Sequence, residues 1–210
     1  MLEAGVYRIK KNRVKKDRIN LKPFISIWFK PGKTIAEIVQ KDSSYMVNFI
    51  TSALVVLPAI RVSLSDYVNF LGFISSLFLN IIFGAISVLI GLYLWGLLLT
   101  FIGEKIGGKG TYKDVVAVIV WSIVPLLFME LFYIMHMIII IVFPGAARGY
   151  TFIHRSITGL LVLWSGFIGV EGLREVHKIT LGKSFQCLLI SFLIVAAFLL
   201  LFAYFVGLIR

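Results

Sequence analysis

Residues 185–208 read FQCLLISFLIVAAFLLLFAYFVGL, without one charged side chain. About 20 such residues in a helix cross the roughly 30 Å of hydrocarbon in a bilayer, so this stretch has lipid as its solvent. Four more apolar stretches qualify: about Tyr45 to Ile60, within Leu71 to Gly103, within Val115 to Phe143, and about Ile157 to Gly172. No water is present in hydrocarbon to satisfy peptide groups, and a helix satisfies them internally. The expected fold is all-α: a polytopic integral membrane bundle of five transmembrane helices.

Composition agrees. Hydrophobic residues make up 60% of the 210-residue chain and charged residues 15%, against about half and a quarter in soluble domains; the mean hydropathy is +0.98. The single cysteine, Cys187, lies in an apolar run, so there is no disulfide framework. The first apolar run starts too far from Met1 for a cleaved signal, and none is expected.

The net charge of +11 is unevenly spread. Eleven of the 21 Lys and Arg precede residue 45: Arg8, Lys10, Lys11, Arg13, Lys15, Lys16, Arg18, Lys22, Lys30, Lys33 and Lys41. Lys105, Lys109 and Lys113 follow the second stretch, and Arg174, Lys178 and Lys183 the fourth. Five crossings put all of these on one side, leaving Arg61, Arg148, Arg155 and Arg210 on the other. The positive-inside rule makes the rich side cytoplasmic, so the N-terminus is cytoplasmic and the C-terminus external. Beside a membrane body the basic tail is read as contacting anionic headgroups through Lys10, Lys11, Arg13, Lys15, Lys16, Arg18, Lys22 and Trp28. No nucleic-acid motif accompanies the charge, and no nucleic-acid partner is expected.

Residues 1–44 form a basic cytoplasmic tail and 45–210 the transmembrane domain. In the tail, Phe24, Ile25, Ile27, Trp28 and Phe29 suit the bilayer interface. Thr34 and Glu37 have capping-box spacing, predicting a surface helix from about Ile35 to Lys41. The second and third stretches exceed one crossing. Ser75, Ser76, Asn80 and Gly84 predict a break or an interfacial portion on the outer side in the second, and Pro125 a kink in the third whose end, Phe132 to Phe143, lies at the outer surface. Ordered helical extensions are therefore expected on the external side.

Within the third stretch Glu130 is costly to bury. It serves either a helix–helix hydrogen bond or ion movement, with His136, Arg155 and Arg61 as candidate partners. Met129, Met135, His136 and Met137 point in different directions on a helix, so no metal site is expected. Glu171, Arg174, Glu175 and His177 sit at the cytoplasmic end of the fourth stretch; the first three have spacing for a charge network, structural or partner-binding, and His177 is off their common face. The small-residue faces Gly84, Ser87, Gly91 and Ser165, Gly169, Gly172 would let those two helices meet. Gly103 to Lys109 fits G-x-x-x-x-G-K, yet Gly110 stands where a phosphate loop needs a hydroxyl and no strand precedes it. It reads as a glycine turn. With no hydrolase elbow or HExxH pair, no enzyme and no cofactor are expected.

The order Trp28-x-x-Pro31-x-x-Thr34, Gly107-Gly-x-Gly-Thr-Tyr112, Trp121-Ser-x-x-Pro125 and Gly172-Leu-x-Glu-Val-His177 resembles the Yip (Ypt-interacting protein) domain family. The chain looks most like its compact prokaryotic branch. The resemblance implies a five-helix bundle with a cytoplasmic N-terminus, in a prokaryotic plasma membrane. Eukaryotic relatives engage prenylated Rab GTPases in early secretory transport. This chain has no Asp-Leu-Tyr-Gly-Pro motif, and a short basic arm replaces their long polar one, so that partnership does not carry over. The expected function is non-enzymatic: organising membrane, or recruiting a protein partner or second copy, through the basic face. The alternative is a small ion, proton or lipid transporter using Glu130.

A reporter fused after Arg210 is expected to score as external; a cytoplasmic signal would remove the five-crossing orientation.

Overall fold

A computed structural model describes residues 22–41, 44–65, 70–142 and 147–208. These residues form eight helices and no strand: α1 (Lys22–Phe29), α2 (Pro31–Gln40), α3 (Ser44–Ser65), α4 (Phe70–Lys105), α5 (Tyr112–Ser122), α6 (Val124–Val142), α7 (Ala147–His177) and α8 (Leu181–Leu208). Five segments are long and apolar enough to cross a membrane: Met46–Leu64, Phe70–Lys105, Tyr112–Met137, Phe152–His177 and Leu181–Gly207. The chain is an all-α, multi-pass membrane protein.

The third span is two helices in series. Pro125 has no N–H to give the Trp121 carbonyl, so α5 ends at Ser122 and α6 restarts at Val124, with Leu126 N–H bonded to Ile123 O at 2.8 Å. The break expected at Ser75, Ser76, Asn80 and Gly84 is absent, and α4 runs unbroken for 36 residues. Its polar side chains are satisfied without opening the helix. Ser75 bonds back to Gly72 O at 3.0 Å, and Asn80 donates to Ser76 Oγ and, across to α3, to Ser63 Oγ, each at 3.1 Å. At 1.5 Å per residue α4 is about 54 Å long, well beyond the hydrocarbon. α6 likewise continues past Phe132 to Val142 as one helix.

The surface helix expected from Ile35 starts earlier, at Pro31, because proline's fixed φ and missing N–H suit the first helical position. Lys30 is the N-cap and makes no side-chain cap, so Thr34 and Glu37 form no capping box. Thr34 donates instead to Ser26 Oγ at 2.9 Å, tying α2 to α1. The capping box falls elsewhere: Thr111 and Asp114 form one at the start of α5.

α1 and α2 dock onto the spans. Ile27, Ile35 and Ile38 join Leu99, Val115, Val118, Trp121, Ile168 and Leu173 in one buried core. Phe24 packs on Trp121 with ring centroids 5.1 Å apart, and Trp28 meets Phe128 edge-on at 5.5 Å. Ile25 and Phe29 face outward. The two small-residue faces do not meet, because α5 packs against both α4 and α7. A Cβ at Gly84 would face Val55 at 3.6 Å, whereas one at Gly172 would lie 2.6 Å from Ile35 Cδ1 and 2.7 Å from Val118 Cγ1.

Gly172 is thus the point where α2, α5 and α7 close together. Gly172→Leu is expected to overpack it and cost about 1–3 kcal/mol, lowering the melting temperature in detergent. Gly159→Leu, where a Cβ meets nothing within 4 Å, should leave melting unchanged; equal effects would refute the packing role.

Candidate functional site

Two helix ends are sewn together at one pole of the bundle. α4 stops in a Schellman turn: Gly107 takes φ +95°, Gly108 N–H bonds to Gly103 O at 2.8 Å, and Gly107 N–H to Glu104 O at 3.0 Å. α7 stops the same way, with Lys178 at φ 55° and Ile179 N–H on Arg174 O at 3.3 Å. The two turns then bond to each other. Lys109 N–H donates to His177 O at 3.0 Å, Gly110 N–H to His177 Nδ1 at 3.1 Å, and Lys183 Nζ to Ile106 O at 3.0 Å.

His177 is fully buried between these turns. A Cβ at Gly103 would collide with its ring, and one at Gly108 would lie 2.5 Å from Nδ1. Only bare backbone lets the imidazole lie here. Because Nδ1 accepts, the proton of the neutral ring sits on Nε2, which is buried without a hydrogen-bond partner among the described residues. His177 is therefore a packing keystone, and the sequence signal for it was a glycine-rich turn plus one helix-terminal histidine.

The charged residues turn the other way, as their spacing predicts. Arg174 Nη2 lies 3.0 Å from Glu171 Oε2 and 2.8 Å from Glu175 Oε1, and Lys178 Nζ lies 3.8 Å from Glu175 Oε2. This network abuts the start of α2: a Cβ at Gly32 would lie 3.0 Å from Glu171 Oε2 and 3.2 Å from Glu175 Cγ. Carboxylates beside a helix N-terminus are favoured by its dipole. His177 stands apart from them.

Around this pole Lys30, Lys33, Lys41, Lys105, Lys109, Lys113, Lys178 and Lys183 are exposed, with exposed Glu37 and Glu104 as the acidic counterparts. Lys22 opens α1 and is exposed, and Trp28 is half-buried. Lys10, Lys11, Arg13, Lys15, Lys16 and Arg18 lie outside the described residues.

Glu130 lies toward the opposite pole. Arg61 of α3 is the expected partner that reaches it, Nε to Oε2 at 2.7 Å, and its guanidinium sits 5.0 Å from the Tyr133 ring centroid. His136 stacks on His154, centroids 5.2 Å apart and planes 21° apart. Glu130 is 18 residues along the third span from Tyr112, about 27 Å from the basic pole at 1.5 Å per residue. A charge pair costs far less near a bilayer interface than at its centre. Among the described residues no three His, Cys, Asp or Glu side chains gather as metal ligands.

A family model, the Yip1 domain, matches residues 25–204. No curated protein and no solved structure matches the chain.

Removing one partner of the Arg61–Glu130 pair leaves the other uncompensated. Glu130→Gln and Arg61→Gln should each lower stability, and the double variant should recover part of the loss. A coupling of about 0.5–3 kcal/mol is expected from a double-mutant cycle of unfolding in detergent; additive effects would show that the pair contributes nothing.

Proposed function

The chain belongs to the Yip1 domain family, and from that premise we propose that it is a non-enzymatic protein of the cell membrane. In this reading it organises the bilayer, or recruits partners, through a basic pole that faces the cytoplasm. The observation that carries the proposal is the convergence at one pole of α1–α2, the Gly107–Gly110 turn and the α7–α8 turn. They gather the exposed lysines of three separate segments on one rigid platform.

Such a platform suits anionic headgroups, since each lysine near a charged surface contributes about 1 kcal/mol. Recruitment adds the outward Ile25 and Phe29 of α1, apolar side chains placed to enter the interface beside those lysines. Ion movement through Glu130 has less support. Its carboxylate is already paired with Arg61, and the core toward the basic pole is Ile50, Val120, Val124 and Leu127, without a polar relay.

Spin-labelled phosphatidylglycerol should be enriched around the reconstituted full chain over phosphatidylcholine. Reversing Lys105, Lys109, Lys113, Lys178 and Lys183 to Glu should remove the enrichment, as should high salt. Equal partition of the two lipids, or a proton flux that Glu130→Gln abolishes, would overturn the reading.

A further inference from the structure

A cavity of about 500 Å³ lies among the spans, walled by α4, α5, α7 and α8, with Leu54 of α3 and Leu126 of α6 at its edge. Near the basic pole it is floored by Leu99, Leu173 and Leu188. These lie 4 to 7 residues inside the helix ends at Lys105, His177 and Leu181, about 6–10 Å deep at 1.5 Å per residue. From there it extends to Val88 and Val162, about 22–26 Å from the same ends.

The walls determine what can fill it. Two serines are among the lining residues, Ser122 and Ser165, and both hydroxyls are already committed. Ser165 donates to Ser122 O at 2.5 Å and Ser122 to Ile119 O at 2.7 Å. Water needs two to four polar partners to stay in such a space, so the cavity does not suit it. Vacancy is also costly, because every wall atom forfeits its dispersion contacts.

Glycines give the second observation. At Gly96 and Gly172 of the same helices a neighbour takes up the space of the missing Cβ, Tyr112 Cε2 at 2.8 Å and Ile35 at 2.6 Å, whereas Gly159, Gly182 and Gly207, outside the cavity, have nothing within 4 Å. Gly91 and Gly166 line the cavity and have nothing within 4 Å, and Gly169 has only Ser122, at 3.7 Å. None of the three has a positive φ that would demand glycine. Their bareness widens a space that no described side chain enters.

We propose that this cavity is a binding site for one acyl chain of a membrane phospholipid, held among α4, α5, α7 and α8. The mouth, at exposed Gly91, opens among membrane-spanning helices, where hydrocarbon tails are the surrounding medium. A volume of about 500 Å³ is on the scale of a single acyl chain. Trp95 and Phe192, centroids 4.9 Å apart, close the wall between α4 and α8. The site reads the tail, so it stands apart from the headgroup preference of the basic pole.

The test uses the full chain purified in detergent, with bound lipid read by native mass spectrometry. Wild type should retain one phospholipid per chain after detergent exchange. Gly91→Leu and Gly166→Leu, which fill the cavity without meeting a neighbour, should cut occupancy at least fivefold. Gly159→Leu and Gly207→Leu, equally unhindered but outside the cavity, should retain it. Adding zwitterionic dipalmitoyl phosphatidylcholine to delipidated protein should raise the melting temperature of wild type and not of Gly166→Leu. That probe carries no net charge, so its failure would leave the anionic-headgroup proposal standing. No retained lipid in wild type, equal retention in the filled variants, or a dimer that Gly166→Leu dissociates would overturn the assignment.

Discussion

Helices in hydrocarbon gain no hydrophobic free energy by touching, because lipid tails are as apolar as leucine. They hold together by close packing and by the few hydrogen bonds that pass between them. In this chain the closest packing is at the basic pole, and several of those hydrogen bonds lie there too. Gly103, Gly108 and Gly110 bring backbone against the His177 ring, and Gly172 admits Ile35 and Val118. Ser184 donates to Val170 O at 2.9 Å, which ties α8 to α7. Away from that pole α8 is exposed on nearly every residue from Phe192 onward, and the first half of α4 has few buried positions. The bundle is more deeply buried at the basic pole than toward the other end.

This distribution explains what the sequence disclosed. The five spans were legible from length and apolarity alone, since neither depends on a neighbour. Parity of crossings puts the Glu104–Asp114 and Glu171–Ser184 segments at one pole, and the bonds among Lys109, His177, Lys183 and Ile106 join these two segments directly. The Pro125 break was legible too, because proline carries its effect in its own covalent structure. What failed depended on partners. Ser75, Ser76 and Asn80 look like helix breakers until Ser63 and the local carbonyls satisfy them.

The candidate site was legible in a similar, partial way. Helical spacing alone puts Glu171, Arg174 and Glu175 together and turns His177 aside. Spacing cannot reveal that His177 faces the Gly103–Gly110 turn, since that contact joins residues about 70 positions apart. Nor could the aromatic cluster before Pro31 announce that Ile27 is wholly buried while Ile25 and Phe29 face outward. An eight-residue helix offers too little periodicity to fix which side it docks. Arg61 was one of three candidate partners for Glu130, and only the packing of α3 on α6 selects it.

The far pole shows how the remaining polar groups are accommodated. α4 outruns the hydrocarbon by about 24 Å, more than tilt absorbs, so its first turns stand beyond the apolar slab. Asn80–Ser63, Arg61–Glu130 and the His136–His154 stack all gather toward that end. There water relieves the cost of polar groups that a bilayer centre would impose. Between the two poles the helices carry almost nothing but apolar contacts, and no described side chain closes the space among α4, α7 and α8. Small residues at positions with no approaching helix are what keep that space open.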